Sequence, residues 1–500
     1  MKTAILLVGL AIITARAQPF SQIWIQRYDG GDDTAVAVAV DANENILVVG
    51  RSLTSDGYPD FDFVTIKYSG EGLPLWTNWH DGPIHSYDSP AAMAVDKVGN
   101  VFVTGQSYGT NGQVGFATIA YVKNGMPLWT NRYSGAPIGD DEARGIAVDG
   151  NGDIYVIGSS AGAGPYSNTL IKYSSGGTPL WTRVFPGIQN GHSAVAVDSQ
   201  DNVFALGAAP DTNGYSDFAV LKYSITGTPL WTNYYNGPAG YSADVPVGLA
   251  LNSNGDVFVT GTSYGIESGF DFATVAYSSD GVPLWTNRYN GLGNEWDYAK
   301  AIAVNEHGEV FVAGDSPRIG GGPPLYATLA YSASGVAMWT NFYTGGVGDD
   351  EVAAMVIDKS GNILVTGYSV GIGTSSDYAT ITYSSLGLPL WTNRYDGPAS
   401  GPDNPTAIAV AESGDVFVTG SSLGISSGGD FATIKYSILR PIPLYIQKAG
   451  DQVVLTWTNS AFGLQSAPEV NGVFTNIADS TSPYTNSLTA SGQFFRLISN

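Results

Sequence analysis

The residues able to do acid–base, nucleophilic or metal chemistry are few, and their spacing fits no compact catalytic motif. Four histidines are present, His80, His85, His192 and His307. None belongs to an H-E-x-x-H pair, and no G-x-S-x-G elbow, phosphate-binding P-loop or dinucleotide fingerprint occurs. His80 and His85 share a connection, but two imidazoles without a third ligand do not make a zinc site. The absence of cysteine removes disulfides, Cys-ligated zinc and a lipid-modified N-terminal Cys. What does recur is aspartate. Asp33, Asp88, Asp141, Asn190, Asp244, Asp297, Asp350 and Asp403 stand at one position of a repeated phrase, each ahead of an Ala/Val-rich run. Seven carboxylates and one amide so placed could form a cation site or an electrostatic ring. A feature present in every repeat is better explained by a structural task, each Asp accepting backbone N–H groups of its own turn. Calcium needs six to eight oxygens at about 2.3–2.6 Å, which a wide ring cannot supply at its centre. No metal and no cofactor are therefore expected.

Residues that break the repeat are better pointers to a ligand. Trp296 precedes one ring Asp, Tyr87 precedes another, and Tyr241 lies in a similar connection. Aromatic rings on a polar surface can stack on sugar rings. An unusual connection begins Asp315-Ser316-Pro317-Arg318 and continues through Ile319 and three glycines, and Asp315 and Arg318 are added as candidates. The Asp149-Gly150-Asn151-Gly152-Asp153 run looks like a fragment of a calcium loop. It lacks the twelve-residue pattern and reads as a hairpin turn.

The elements that carry these residues form a repeat. A W-T-N-R-Y phrase or a relative of it occurs at Trp24, Trp76, Trp129, Trp181, Trp231, Trp285, Trp339 and Trp391, 50 to 54 residues apart. Four short β-branched or aromatic runs, bounded by Gly, Pro, Asn, Asp or Ser, fill each interval and read as strands. Helical periodicity is absent. Four strands at a period near 50 predict a β-propeller blade. Ala-rich strands A suit the crowded axis, and Trp in strand D fills the wedge that opens between blades with radius. Strand D is expected at the outer edge, where Pro at positions such as Pro74 and Pro283 is tolerated. A Gly closes strand B in all eight units, from Gly50 to Gly420, which predicts a position where a side chain would obstruct. The first W-T-N-R-Y strand precedes any strand A, and the last A-B-C set lacks one. Eight blades are therefore expected, with Ile23–Tyr28 supplying strand D of the last.

The repeated phrase, of the form A-I-A-V-D-x-x-G-N-V-F-V-T-G through F-A-T-I-K-Y to P-L-W-T-N-R-Y, resembles the bacterial SBBP repeat of secreted and surface proteins, over about residues 22–437. The resemblance implies a β-propeller and brings no catalytic residues. The family is described as seven-bladed, whereas eight units are counted here.

The remaining segments are read as follows. Lys2, an apolar run from Ala4 to Ile13 and Ala15-Arg16-Ala17 make residues 1–17 a secretory signal peptide. The propeller is expected over 18–437, a Pro-rich linker over 438–443, and a small β-rich, sandwich-like domain over 444–500. That last segment resembles short β-rich C-terminal modules ending in F-F-R-L on secreted proteins of some environmental bacteria. The 500 residues carry a formal charge of −23, with only 13% charged residues. Such acidity argues against nucleic acid or an anionic membrane as partner. No later apolar run is long enough to span a membrane. The expected protein is a secreted, monomeric, non-enzymatic binding or scaffold propeller. Its D–A and B–C loops, which share one face, would engage a glycan or a protein. The alternative is a polysaccharide lyase or hydrolase.

Overall fold

The computed structural model describes residues 20–53, 60–135, 139–161, 166–188, 191–240, 242–346, 348–371, 373–425, 428–438, 444–449, 452–457, 462–469, 473–477, 480–487 and 494–499. Residues 1–17, the expected signal peptide, and residues 439–443 of the expected linker lie outside these. The described residues fall into two compact units that meet in sequence at Ser437 and Ile438.

In the first unit eight four-stranded antiparallel sheets follow one another. Numbered in chain order, blade one comprises strands A (Asp33–Val40), B (Ile46–Leu53), C (Phe61–Tyr68) and D (Pro74–His80). Blade eight takes A (Asp403–Val410), B (Val416–Leu423) and C (Gly429–Ile438) from the end of the unit, and its D strand is Phe20–Tyr28 from the beginning. Each strand A neighbours that of the next blade, and strand A of blade one also meets strand A of blade eight, so the ring closes. Strand C of blade eight runs one residue into the segment expected to be linker.

Alternation within each strand puts one side against the preceding blade and the other against the following one. Strands B and C are therefore buried almost throughout and D is half-exposed. Core clusters span blade pairs. One joins Ala35, Val48 and Ile66 of blade one to Phe417 and Phe431 of blade eight. At every junction the strand D indole donates its Nε1–H to a backbone carbonyl of the next blade. The pairs run Trp24 to Gly70, Trp76 to Lys123, Trp129 to Ser175, Trp181 to Ile225, Trp231 to Ser279, Trp285 to Ala333, Trp339 to Ser385 and Trp391 to Phe20, at 2.9–3.3 Å.

The strand B glycines behave as their recurrence predicts. A Cβ on Gly314 would stand 2.1 Å from the Tyr298 carbonyl and 2.6 Å from Phe272 of the preceding blade. The Asp149 turn is a hairpin in which one carboxylate oxygen accepts the N–H groups of Asn151 and Asp153, both at 2.9 Å.

A second polar tie binds strands B, C and D. Arg288, Arg394 and Arg27 of strand D donate to Asp271, Asp377 and Asp430 of strand C at 2.6–2.7 Å and to the carbonyls of Ser263, Ser369 and Ser422. Blades one and four keep the Asp, as Asp62 and Asp217, but have Trp79 and Tyr234 at the arginine position. Burial, with Asp244 and Asp211 nearby, pushes the Asp217 carboxyl up to about 6.

The second unit comprises two three-stranded sheets. One is ordered Tyr445–Ala449, Gln452–Thr456, Tyr484–Ser487, and the other Thr475–Asn476, Phe462–Ala467, Phe494–Ser499. Leu455, Trp457 and Leu464 form its core, with Val453, Ile477, Tyr484 and Phe495 packed around them. Tyr445–Ala449 and Tyr484–Ser487 were not anticipated from sequence. Both are short and flanked by Pro- or Ser/Thr-rich residues that mask a strand pattern.

Two outcomes follow from these contacts. Deleting residues 20–28 removes Trp24, Arg27 and the edge that covers strand C of blade eight. The melting temperature should fall by about 10 °C or more, and an unchanged transition would show that the N-terminal strand does not hold the ring. The second concerns Asp217. Its folded pKa lies above the unfolded value, so its favourable contribution is complete below about pH 4 and is lost as pH rises through about 6. Tyr234→Arg supplies the missing guanidinium and should raise the melting temperature at pH 8 by about 2–4 °C. The gain should be much smaller at pH 4, as thermal unfolding at the two pH values would reveal.

Candidate functional site

The ring aspartates occupy the starts of strands A. Asp33, Asp88, Asp141, Asp244, Asp297, Asp350 and Asp403 are each at most 1% exposed. Asn190 lies outside the described residues. Each carboxylate accepts the N–H of a glycine in the preceding D–A connection: Gly30, Gly82, Gly135, Gly237, Gly291, Gly345 and Gly397 respectively. The approach is too close for a side chain, since a Cβ on Gly237 would meet Ser263 Oγ at 2.3 Å and Asp244 at 2.6 Å. Ser160 and Ser369 of strand B donate to Asp141 and Asp350. Burial raises the pKa of Asp33, Asp88, Asp244, Asp297 and Asp403, while the serine and glycine donors pull it back. The seven carboxylates thus fold back onto the connections that precede them.

A different constellation forms around blade six. Its strand A (Tyr298–Val304) carries a β-bulge at Lys300, which the pairing skips between Ala299 and Ala301. A bulge re-aims the extra residue, and here Lys300 Nζ comes 3.2 Å from Asp315 Oδ2. Asp315 stands opposite Tyr298 on strand B (Val310–Arg318). It is 4% exposed and accepts the Val352 N–H of blade seven at 2.7 Å. Burial pushes its carboxyl up to about 7, with Lys300 and the Val352 N–H pulling down and Glu351 pushing up. The B–C connection of this blade is a long hairpin, turned at Gly320 and Gly321 with φ of 87° and 77°. Its Pro317 and Pro324 wall a cavity of about 380 Å³, lined also by Trp296, Tyr298, Lys300, Asp315 and Glu351.

Trp296 is half exposed, at 53%. It meets Phe270 edge-on at 5.5 Å, and Phe270 in turn contacts Tyr264 and Tyr298. Gly269, at φ 74°, permits this, because a Cβ there would lie 2.3 Å from the indole. The result is an aromatic platform beside a carboxyl group, an ammonium and a second carboxylate.

The same bulge position holds Arg144 in blade three, beside Glu142, in a cavity of about 370 Å³. Burial and the charges of Arg144 and Lys300 hold His192 below the usual histidine range.

Of the residues singled out from sequence, Trp296 and Asp315 share the blade-six cavity. Tyr87 stands elsewhere, edge-on to Phe61 at 5.6 Å and hydrogen-bonded to Arg51. The Arg318 guanidinium is committed to the connection between blades six and seven, donating to Thr344 Oγ1 at 2.7 Å and the Gly346 carbonyl at 3.1 Å. Tyr241 lies outside the described residues. Tyr298, Lys300 and Glu351 were not anticipated. The available signal was Lys300 itself, a charge where other blades have Val36, Ala91, Val247 and Ala353.

Among solved structures the chain is similar to a protein from Lactobacillus plantarum, at 16% identity over 64% of this chain and 86% of that one, with a TM-score of 0.42. A eukaryotic initiation factor is similar at 10% identity over 76% and 89% of the two chains, with a TM-score of 0.41. An ulvan lyase, described as a new family of polysaccharide lyase and bound to GlcA(1-4)Rha3S, shares 10% identity over 74% and 95%, with a TM-score of 0.42. These likenesses go no further than the fold. No curated protein matches the chain. The family model of SBBP, the β-propeller repeat, matches residues 82–113 and 129–164, so the second and third blades of this propeller carry SBBP repeats.

Proposed function

We propose that this protein is an exported, non-enzymatic binding propeller that takes a glycan into the blade-six cavity. The observation that carries the reading is Trp296, a half-exposed indole at the wall of a cavity that also presents Lys300, Asp315 and Glu351. A flat apolar ring among hydrogen-bonding groups of both signs suits a sugar, whose C–H face stacks while its hydroxyls bond. Export is supported by the leader-like residues 1–17. No helix among the described residues is long and apolar enough to cross a membrane. We further propose that residues 444–500 act as an accessory module joined through 438–443.

One observation favours the enzymatic alternative, a lyase or hydrolase. A buried carboxyl group pushed up to about 7 can give or take a proton near neutrality, and Asp315 is such a group. A glycan array probed with the mature chain, with turnover of each hit followed in parallel, separates the readings. Hits bound without cleavage, and bound at least about tenfold more weakly by Trp296→Ala, support the binding role. Cleavage of a hit that Asp315→Asn abolishes while binding persists would replace it. No glycan bound at all would overturn both.

A further inference from the structure

Among the described residues, three groups of acidic residues have carboxylate oxygens within 4.8 Å of one another: Asp29, Asp33 and Asp430; Asp377, Asp396 and Asp403; and Asp60, Asp62 and Asp81. All three contain the strand C aspartate and the residue that follows strand D. In two of them the charge is met by an arginine of strand D. Arg27 reaches Asp430 at 2.6 Å, and Arg394 reaches Asp377 at 2.7 Å. The group in blade one differs. Its arginine position is Trp79, 44% exposed and packed on Tyr28. The nearby Arg132 belongs to blade two, where it donates to Ser107.

Asp62 is the member most in need of a partner. It is 5% exposed; its buried Oδ1 accepts no hydrogen bond among the described residues, as is also true of Asp377, but Asp377 has an arginine on its other oxygen. No Lys or Arg forms an ion pair with it among those residues either. A buried carboxylate oxygen without donor or counter-ion is costly, since desolvation is uncompensated. His85 lies near the group and pairs with Asp81, but it is itself largely exposed and so free to swing aside.

We propose that Asp60, Asp62 and Asp81 bind a calcium ion, which stands in blade one where arginine stands in blades seven and eight. The donor set is all oxygen, which selects a hard cation. Oxygens up to 4.8 Å apart match two calcium–oxygen bonds of about 2.3–2.6 Å on opposite sides of the ion. Calcium also accepts water in its remaining positions and tolerates irregular geometry, whereas magnesium requires a near-ideal octahedron. The site lies between strand C and the D–A connection of one blade, away from the ring centre where the sequence argued against a metal. It is independent of the blade-six cavity.

Calorimetric titration of the chelator-treated mature chain with calcium chloride at pH 8 tests the assignment. One ion per chain is expected, with a rise in melting temperature. Asp62→Asn should weaken binding at least about tenfold. Trp79→Arg restores the guanidinium of the other blades and should abolish binding while the chain stays folded, which keeps the test decisive if Asp62→Asn does not fold. No heat and no thermal shift up to about 5 mM calcium, a range covering weak extracellular sites, would overturn the proposal. So would calcium binding that persists unchanged in Trp79→Arg, because the ion would then sit elsewhere.

Discussion

An indole N–H donated to a carbonyl of the neighbouring blade recurs at all eight junctions, and the ring depends on it. The donor sits on the outermost strand, where blades diverge and side chains must be large to keep contact. The acceptor lies in the tight C–D turn of the next blade at seven junctions and on the N-terminal strand at the eighth. In those turns the strained position is glycine. Gly125, at φ 87°, lies under Trp76, where a Cβ would come 2.7 Å from the ring. Turn, glycine and tryptophan therefore form one unit. Because the contact links consecutive blades, stability is passed round the ring, and the N-terminal strand completes it.

Nearer the axis the same logic runs through polar groups. The ring aspartates fold each D–A connection onto its own strand A and bury their charge against glycine N–H groups. Seven of the strand B glycines leave room for the strand A carbonyl and for an aromatic ring of the preceding blade, and Gly207 leaves room for the Asn168 side chain. With these positions spent on structure, little sequence freedom remains in the blades, and variation collects in the B–C and D–A loops and at the strand A bulge. Lys300 and Arg144 occupy that bulge. Elsewhere it holds Val36, Ala91 and Val247, among others.

Departures from the repeat fall into two kinds. Some are compensated: blades three and six lack both the strand C aspartate and the strand D arginine. Others are not. Blades one and four keep Asp62 and Asp217 without an arginine. Uncompensated buried carboxyls in an otherwise regular scaffold are where ligands, ions or protons are best sought.

The sequence alone determined the strand order, the count of eight, the closing N-terminal strand and the reason for each strand B glycine. These rest on local propensity and on repetition, and eight copies of one pattern average out its local noise. It also marked Trp296 and Asp315 as departures. The meeting of those two with Lys300, Tyr298 and Glu351 was settled only in three dimensions. That cavity joins the D–A connection ahead of blade six to the bulge and hairpin of that blade and to strand A of the next. A bulge leaves no mark in residue spacing, and a register shift of one residue decides which side chain enters the cavity. Arg318 shows the reverse case. It is conspicuous in sequence, yet its guanidinium goes to the connection between blades six and seven because Thr344 and the Gly346 carbonyl lie within its reach. Partner choice of this kind depends on distances across blades, which a linear pattern does not contain.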